Sequence, residues 1–257
     1  MAAPLRGGRP IGGSRALRPG NSRRARMAAS VQTARHWAED RALRALIAAA
    51  MALPFDRRRR LIGTIMARAI GPFAGYLRRA RTNLALIYPD LTEAERNRIA
   101  RAALDNAGRT IIENYSWRDF GAALSGTEPT GDGLDALRAA RSEGRPVLFV
   151  TGHYGNHEAP RQILTRMGHR IGGLYRPMKN PFFDAHYART MTEMSGPVFP
   201  KGPTGTRGFV RHLKAGGMAT LLFDVHDRDG IALPFLGRPA LTSTSAAELA
   251  VRFDALM

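Results

Sequence analysis

The chain has 257 residues and a mass of 28.1 kDa, enough for one α/β core with an accessory helical segment. It contains no cysteine, which excludes a disulfide scaffold and a thiol nucleophile. Its net charge of +18 directs attention to anionic partners: nucleic acid, anionic lipid or an acidic protein.

No acidic residue precedes Glu39, while Arg6, Arg15, Arg24 and several other arginines stand among Gly, Pro, Ala and Ser. Such a composition cannot bury a core, so residues 1–38 are expected to be a disordered basic segment. The segment has the arginine-rich, acid-poor character of an organellar transit peptide. An over-extended start, with Met27 as initiator, fits equally well. From residue 39 to 124 the pattern is helical. Leu43, Leu46, Ile47, Ala50 and Met51 share one helix face, and after Pro54 so do Leu61, Ile62, Ile65, Met66, Ala69, Ile70 and Phe73. The longest uncharged run of this region lies between Arg44 and Asp56, well short of the ~20 residues of a spanning helix. Arg57 to Arg60 and Arg78, Arg79 and Arg81 flank the apolar faces. Two readings suit that layout: helices packed on a core with a solvated arginine face, or interfacial helices on anionic lipid. Thr92-Glu93-Ala94-Glu95 is a capping box, and the helix it starts is expected to turn Ile99, Ala103, Ala107 and Ile111 inward.

A Gly/Thr/Pro-rich connection from Ser125 to Gly133 leads into residues 125–257, where short apolar runs alternate with helical stretches. Pro146 to Val150, Ile171 to Tyr175, Met218 to Phe223 and Ile231 to Phe235 read as strands, so an α/β core is predicted, with a mixed sheet flanked by helices. Just past the first strand comes Thr151-Gly152-His153-Tyr154-Gly155-Asn156-His157-Glu158. Gly152 and Gly155 loosen the backbone there, and a helix is predicted from about Glu158 to Gly168. His153 and Glu158 therefore place an imidazole and a carboxylate at the carboxyl end of a strand, the edge at which open α/β sheets bind ligands. A neutral imidazole takes a proton from an alcohol when its other nitrogen holds a proton directed at an acceptor; Glu158 is the expected acceptor. The same spacing also fits a hydrogen-bonded loop histidine beside a solvated acid at a helix start. His153 and His157, four apart with Glu158 adjacent, raise a zinc site. Their order matches neither H-E-x-x-H nor H-x-x-E-H and no third ligand is marked by spacing, so no metal and no cofactor are expected. Arg176, after the second strand, offers a planar fork suited to phosphate, and Asn180 and Asp184 sit where a helix start would be capped. No G-x-S-x-G elbow occurs, which leaves direct attack by an activated hydroxyl rather than a covalent acyl-serine.

Four blocks in order weigh the pair toward function: Gly152 to Glu158, Tyr175-Arg176-Pro177-Met178-Lys179-Asn180-Pro181-Phe182-Phe183-Asp184, Leu213 to Gly217, and Leu233-Pro234-Phe235-Leu236-Gly237-Arg238-Pro239. Upstream stand Arg81-Thr82-Asn83-Leu84, Tyr88-Pro89-Asp90-Leu91, and Asn106-Ala107-Gly108-Arg109 with Glu113. From about Leu43 to the end the chain resembles the lipid A biosynthesis acyltransferases, the lauroyl and myristoyl transferases of Gram-negative bacteria. The resemblance implies a glycerolipid-acyltransferase-like fold. It also implies transfer of an acyl chain from acyl carrier protein, or coenzyme A, to a hydroxyl of a phosphorylated lipid A precursor. His153 and Glu158 match its catalytic H-x4-D/E pair, and Arg176 its phosphate-contacting arginine. Gly155, Asn156, Asn180 and Asp224 fall in the matched blocks as substrate-binding candidates. The chain departs from the pattern at Asp224-Val225-His226-Asp227, where the family has Asp-Gln-Asp, and at His157, where it usually has tryptophan. Relatives continue beyond a point corresponding to Met257, so truncation is expected. The implied location is peripheral, on the cytoplasmic face of a bacterial inner membrane. Another glycolipid or a lysophospholipid is the alternative acceptor. Nucleic acid is not an expected partner, since charge alone points to it and no nucleic-acid-binding motif is present.

Overall fold

The computed structural model describes residues 19–257, with side chains described from Ser30 onward. Six helical segments come first: α1 Pro19–Met51, α2 Phe55–Ile65, α3 Gly71–Phe73, α4 Tyr76–Ile87, α5 Glu93–Tyr115 and α6 Trp117–Ala123. A π-helical turn, Met66–Ile70, joins α2 to α3 without a break. Residues 1–18 lie outside the described residues, whereas 19–38, expected to be disordered, belong to α1. Part of that helix is held by partners elsewhere in the chain. Asp40 is fully buried and pairs with Arg44 at 2.8 Å, Arg44 reaches the Phe182 carbonyl, and the His36 carbonyl accepts from Asn180 at 2.7 Å. No helix of the described residues is long and apolar enough to cross a membrane.

The capping box forms as predicted: the Thr92 hydroxyl accepts from the Glu95 amide, and the Glu95 carboxylate accepts from the Thr92 amide at 2.8 Å. The buried stripe of α5, however, is Ala100, Leu104, Gly108 and Ile112, one residue later than expected, and Ile111 is exposed. Small residues decided the phase. A Cβ on Gly108 would come within 2.7 Å of the Ile62 carbonyl and of Met66 Cβ, so only glycine lets α2 lie this close to α5. Along α2 the burial also shifts. Ile62, Gly63 and Ala67 are buried while Phe73 is 94 % exposed. The π turn adds a residue to one helical repeat and swings the side chains beyond it by roughly 100°.

The second half is α7 Leu134–Glu143, β1 Val147–Thr151, α8 Ala159–Arg166, β2 Ile171–Tyr175, α9 Pro181–Ser195, β3 Val198–Pro200, α10 Pro203–Lys214, β4 Met218–Leu222, β5 Ile231–Phe235, β6 Arg238–Thr242 and α11 Ser245–Phe253. β1, β4, β2 and β3 lie in that order, all parallel. The sheet is thus parallel rather than mixed, because helical crossovers return the chain to the same edge between successive strands. β5 and β6 form a separate antiparallel hairpin turned at Leu236 and Gly237, both at positive φ, as a two-residue hairpin requires. Pro234 faces Pro239 across it, so one rung lacks amide donors.

Alternating side chains of β1 feed two layers. On one face Val147 packs with Leu137 and Ala140 of α7, Leu164 of α8, Ile171 and Met218; on the other Leu148 packs with Phe209 and Leu213 of α10, Ala219 and Leu221. Past α11, Leu256 bonds along the free edge of β1, accepting from the Leu148 amide at 2.8 Å and donating to the Pro146 carbonyl at 2.9 Å. The carboxyl ends of β1, β4 and β2 are left side by side.

Candidate active site at the carboxyl edge of the sheet

In the β1–β4 register Thr151 stands opposite Leu222, and the Phe223 amide donates to the Thr151 carbonyl at 3.1 Å. Two residues beyond each partner lie His153 and Asp224, and they meet. The Asp224 carboxylate accepts from the His153 backbone amide at 2.7 Å through one oxygen and bonds ring Nδ1 at 2.8 Å through the other. A carboxylate only accepts, so the ring proton sits on Nδ1 and the Nε2 lone pair is free. Gly152 makes room for this: a Cβ there would meet the Asp224 carboxylate at 3.0 Å. Burial raises the Asp224 pKa, but the two His153 donors outweigh it and hold the carboxyl below its ordinary value. The dyad is open, with His153 53 % and Asp224 37 % side-chain exposed.

Glu158, expected to orient His153, does something else. It precedes the first turn of α8, is buried, and pairs with the equally buried Arg161 at 2.7 Å. Arg161 also donates to the Ile171 carbonyl at 3.0 Å, which locks the pair to β2. The five-residue interval carries Glu158 around the loop to the N-cap of α8, where it faces Arg161 and, at 3.8 Å, His157. The i,i+3 spacing of Glu158 and Arg161 is the sequence signal for this pair.

The other candidates divide in the same way. Asn156 is structural: its amide donates to Glu113 at 2.6 Å, and its oxygen accepts from the Glu158 amide at 2.9 Å. Glu113 is itself buried and held by Arg59 at 2.5 Å, so the loop is tied down through Asn156 to α5 and α2. Gly155 supplies a left-handed bend at φ +57 in open space. Asn180 caps α9, its oxygen accepting from the Phe182 and Phe183 amides, while its amide donates to the His36 carbonyl. Asp184 closes the loop after β2 by accepting from the Met178 amide at 2.8 Å. Arg176 is exposed at that same loop and enters no ion pair among the described residues. The His157 ring packs edge-on against the His153 ring with ring centres 5.1 Å apart, and burial lowers its pKa against the pull of Glu158. Among the described residues no group of three His, Asp or Glu side chains is gathered as a metal ion would require.

The arrangement amounts to a solvent-facing imidazole with a free Nε2, a charged acceptor behind it, and an unpaired guanidinium at the same sheet edge. It can remove a proton from a bound hydroxyl and stabilise the imidazolium that results.

Comparison with known proteins bears on this geometry. Residues 26–257 match the family model of the bacterial lipid A biosynthesis acyltransferase. The chain is similar to a lipid A biosynthesis myristoyltransferase of Escherichia coli (strain K12), 24% identical over 157 residues, covering 59% of this chain and 48% of that protein. It is similar also to a lipid A biosynthesis acyltransferase of Haemophilus influenzae, 26% identical over 148 residues, covering 57% of this chain and 46% of that one. The chain thus spans about half the length of the curated relatives it matches. With the family model covering nearly all of the described residues, the chain belongs to the bacterial lipid A biosynthesis acyltransferase family.

Proposed function

We propose that the protein is an acyltransferase that moves a fatty acyl chain from an acyl carrier protein or coenzyme A thioester to a hydroxyl of a lipid A precursor. The observation that carries this reading is the His153–Asp224 dyad, open to solvent at the sheet edge of a chain of this family. His153 Nε2 takes the acceptor hydroxyl proton while Asp224 steadies the Nδ1–H side. The alkoxide oxygen bonds to the thioester carbonyl carbon, and the C–S bond breaks as the tetrahedral intermediate collapses. The departing thiolate takes back the proton held on His153, which restores the neutral base. Arg176, fixed by the loop that Asp184 closes, grips a phosphate of the acceptor in bidentate fashion. Glu158 supports the site by anchoring α8 to β2, and Glu113 and Asn156 hold the loop that carries His153. The surplus of positive charge favours an acidic carrier protein and an anionic inner-membrane surface, on which the protein sits from the cytoplasmic side.

The test is an acyl-transfer assay with acyl carrier protein thioester and a phosphorylated glucosamine lipid, run beside another glycolipid and a lysophospholipid. Wild type, His153→Ala and Arg176→Ala are compared. His153→Ala is expected to abolish transfer, and Arg176→Ala to raise KM for the phosphorylated acceptor more than it lowers kcat. Full transfer by His153→Ala would overturn the mechanism. Preference for an unphosphorylated acceptor would overturn the substrate assignment.

A further inference from the structure

The hairpin of α2–α3 and α4 ends in a tip that the acyl-transfer site does not use. Chain direction reverses at Gly75, whose φ of +76 glycine adopts without strain. Phe73, one residue before Ala74, projects into solvent with 94 % of its surface exposed, and Tyr76 opens α4 half-exposed with the Arg79 guanidinium 5.8 Å from its ring centre. Beside them Ala74, Gly75, Arg78, Arg79, Thr82 and Asn83 line an open basin of about 290 Å³.

Every side chain that projects a charge into this basin is cationic, and its other polar groups are a hydroxyl and an amide. Gly75 caps α4 with no side-chain hydrogen bond. No acidic residue occurs anywhere between Asp56 and Asp90. Three arginines of that stretch are neutralised from outside it: Arg58 by Asp119, Arg59 by Glu113, and Arg81 by Glu93. Arg78 and Arg79 enter no ion pair among the described residues.

The exposed aromatic is unfavourable in water, and beside unpaired guanidinia it is well matched to one environment. The aromatic ring is buried among acyl chains, and the guanidinia lie at the level of the phosphates. The π turn at Met66–Ile70 contributes by rotating Phe73 out of the apolar face that the α-helical period would assign it to. We infer that the Phe73–Asn83 tip is a membrane-docking site that inserts Phe73 and Tyr76 into a bilayer and binds the phosphate of an anionic phospholipid between Arg78 and Arg79. Roughly 20 Å of helix separates Phe73 from the Arg59–Glu113 tie beneath the catalytic loop, so this site is distinct from the dyad. It rests on none of the catalytic assignments.

The experiment uses the full chain and vesicles of phosphatidylcholine with and without phosphatidylglycerol. Partition is read by co-sedimentation for wild type, Arg78→Ala/Arg79→Ala, and the charge-matched pair Arg207→Ala/Arg211→Ala on the exposed side of α10. An arginine near an anionic surface is worth about fivefold in partition, so the tip pair should lose about thirtyfold on phosphatidylglycerol vesicles. The α10 pair should lose far less. In addition, Phe73→Trp should show a blue-shifted emission component and quenching by brominated acyl chains that wild type lacks. Equal losses from the two arginine pairs would overturn the site in favour of diffuse attraction. A bound Phe73→Trp protein whose emission is unshifted would overturn insertion, as would binding of single-stranded RNA that the tip pair weakens more than vesicle binding. Each readout is physical binding, so failure here is distinguishable from failure of acyl transfer.

Discussion

Asp224→Asn separates the roles of the two acids near His153. The wild-type carboxylate accepts both the His153 backbone amide at 2.7 Å and ring Nδ1–H at 2.8 Å. Asparagine has only one acceptor oxygen. If it serves the backbone amide, the NH₂ group faces Nδ1 and compels that nitrogen to accept, which moves the ring proton to Nε2 and removes the basic lone pair. The loss in kcat should approach the full worth of a positioned general base, about 10²- to 10⁴-fold. Stability should hardly move: the pair is more than a third exposed, and such pairs are worth about 0–1 kcal/mol. Glu158→Ala should behave in the opposite way. Its side chain and that of Arg161 are 7% and 5% exposed, and truncation strands a buried guanidinium at a cost of about 3–5 kcal/mol. For a chain of this size that amounts to a fall in Tm of roughly 6–20 °C. Calorimetry and single-turnover acyl transfer, both run at a temperature where each variant is folded, read the two effects. If Asp224→Asn transferred acyl groups within threefold of wild type while folded Glu158→Ala did not, the orienting role assigned to Asp224 would be refuted.

Three further predictions test the frame of the site. Gly108→Ala places a methyl within 2.7 Å of both the Ile62 carbonyl and Met66 Cβ, so α2 and α5 must separate; a loss of about 1–3 kcal/mol in urea unfolding is expected, and an unchanged midpoint would show that the helix pair yields freely. Thr92→Ala removes the hydroxyl half of the α5 capping box and should cost about 1 kcal/mol by the same measurement. His157 is harder to protonate in the folded state than in the unfolded chain, chiefly because it is buried. As pH falls through the ordinary histidine range near 6.5, the unfolded chain therefore takes up a proton that the folded one refuses, and stability falls. His169 and His186 are shifted the same way by burial, so His157→Phe should flatten the decline of Tm with falling pH without abolishing it; an unaltered slope would contradict the burial of this ring.

Much of the local structure was legible. The strands at 147–151 and 171–175, the helix after Glu158 and the capping box at Thr92 follow from short-range preferences that operate wherever such segments occur. Phase was harder. Periodicity placed the inner face of α5 at Ile99, Ala103, Ala107 and Ile111, but a helix turns toward its neighbour the side that permits the closest approach. The smallness of Gly108 and Ala100 outweighed the bulk of Ile111. Phe73 likewise leaves the apolar face that the α-helical period gives it, through a π turn that nothing in the residue pattern announces. Nothing in the residue pattern marks Arg161 and Arg58 as buried, because arginines are common in this chain and the burial of these two is visible only in three dimensions.

The sequence by itself determined that an imidazole would stand at the carboxyl end of the first strand, since an apolar run followed by Gly152-His153 leaves the chain no other local course. Which acid would serve it was a tertiary matter. Glu158 is near in sequence but is drawn to the N-cap of α8, where Arg161 satisfies it. Asp224 is 71 residues away, yet the parallel register sets Thr151 opposite Leu222 and so delivers the second residue beyond each strand to the same place. Strand register is fixed by backbone ladders and by the packing of both sheet faces, and neither is written in the spacing of a motif.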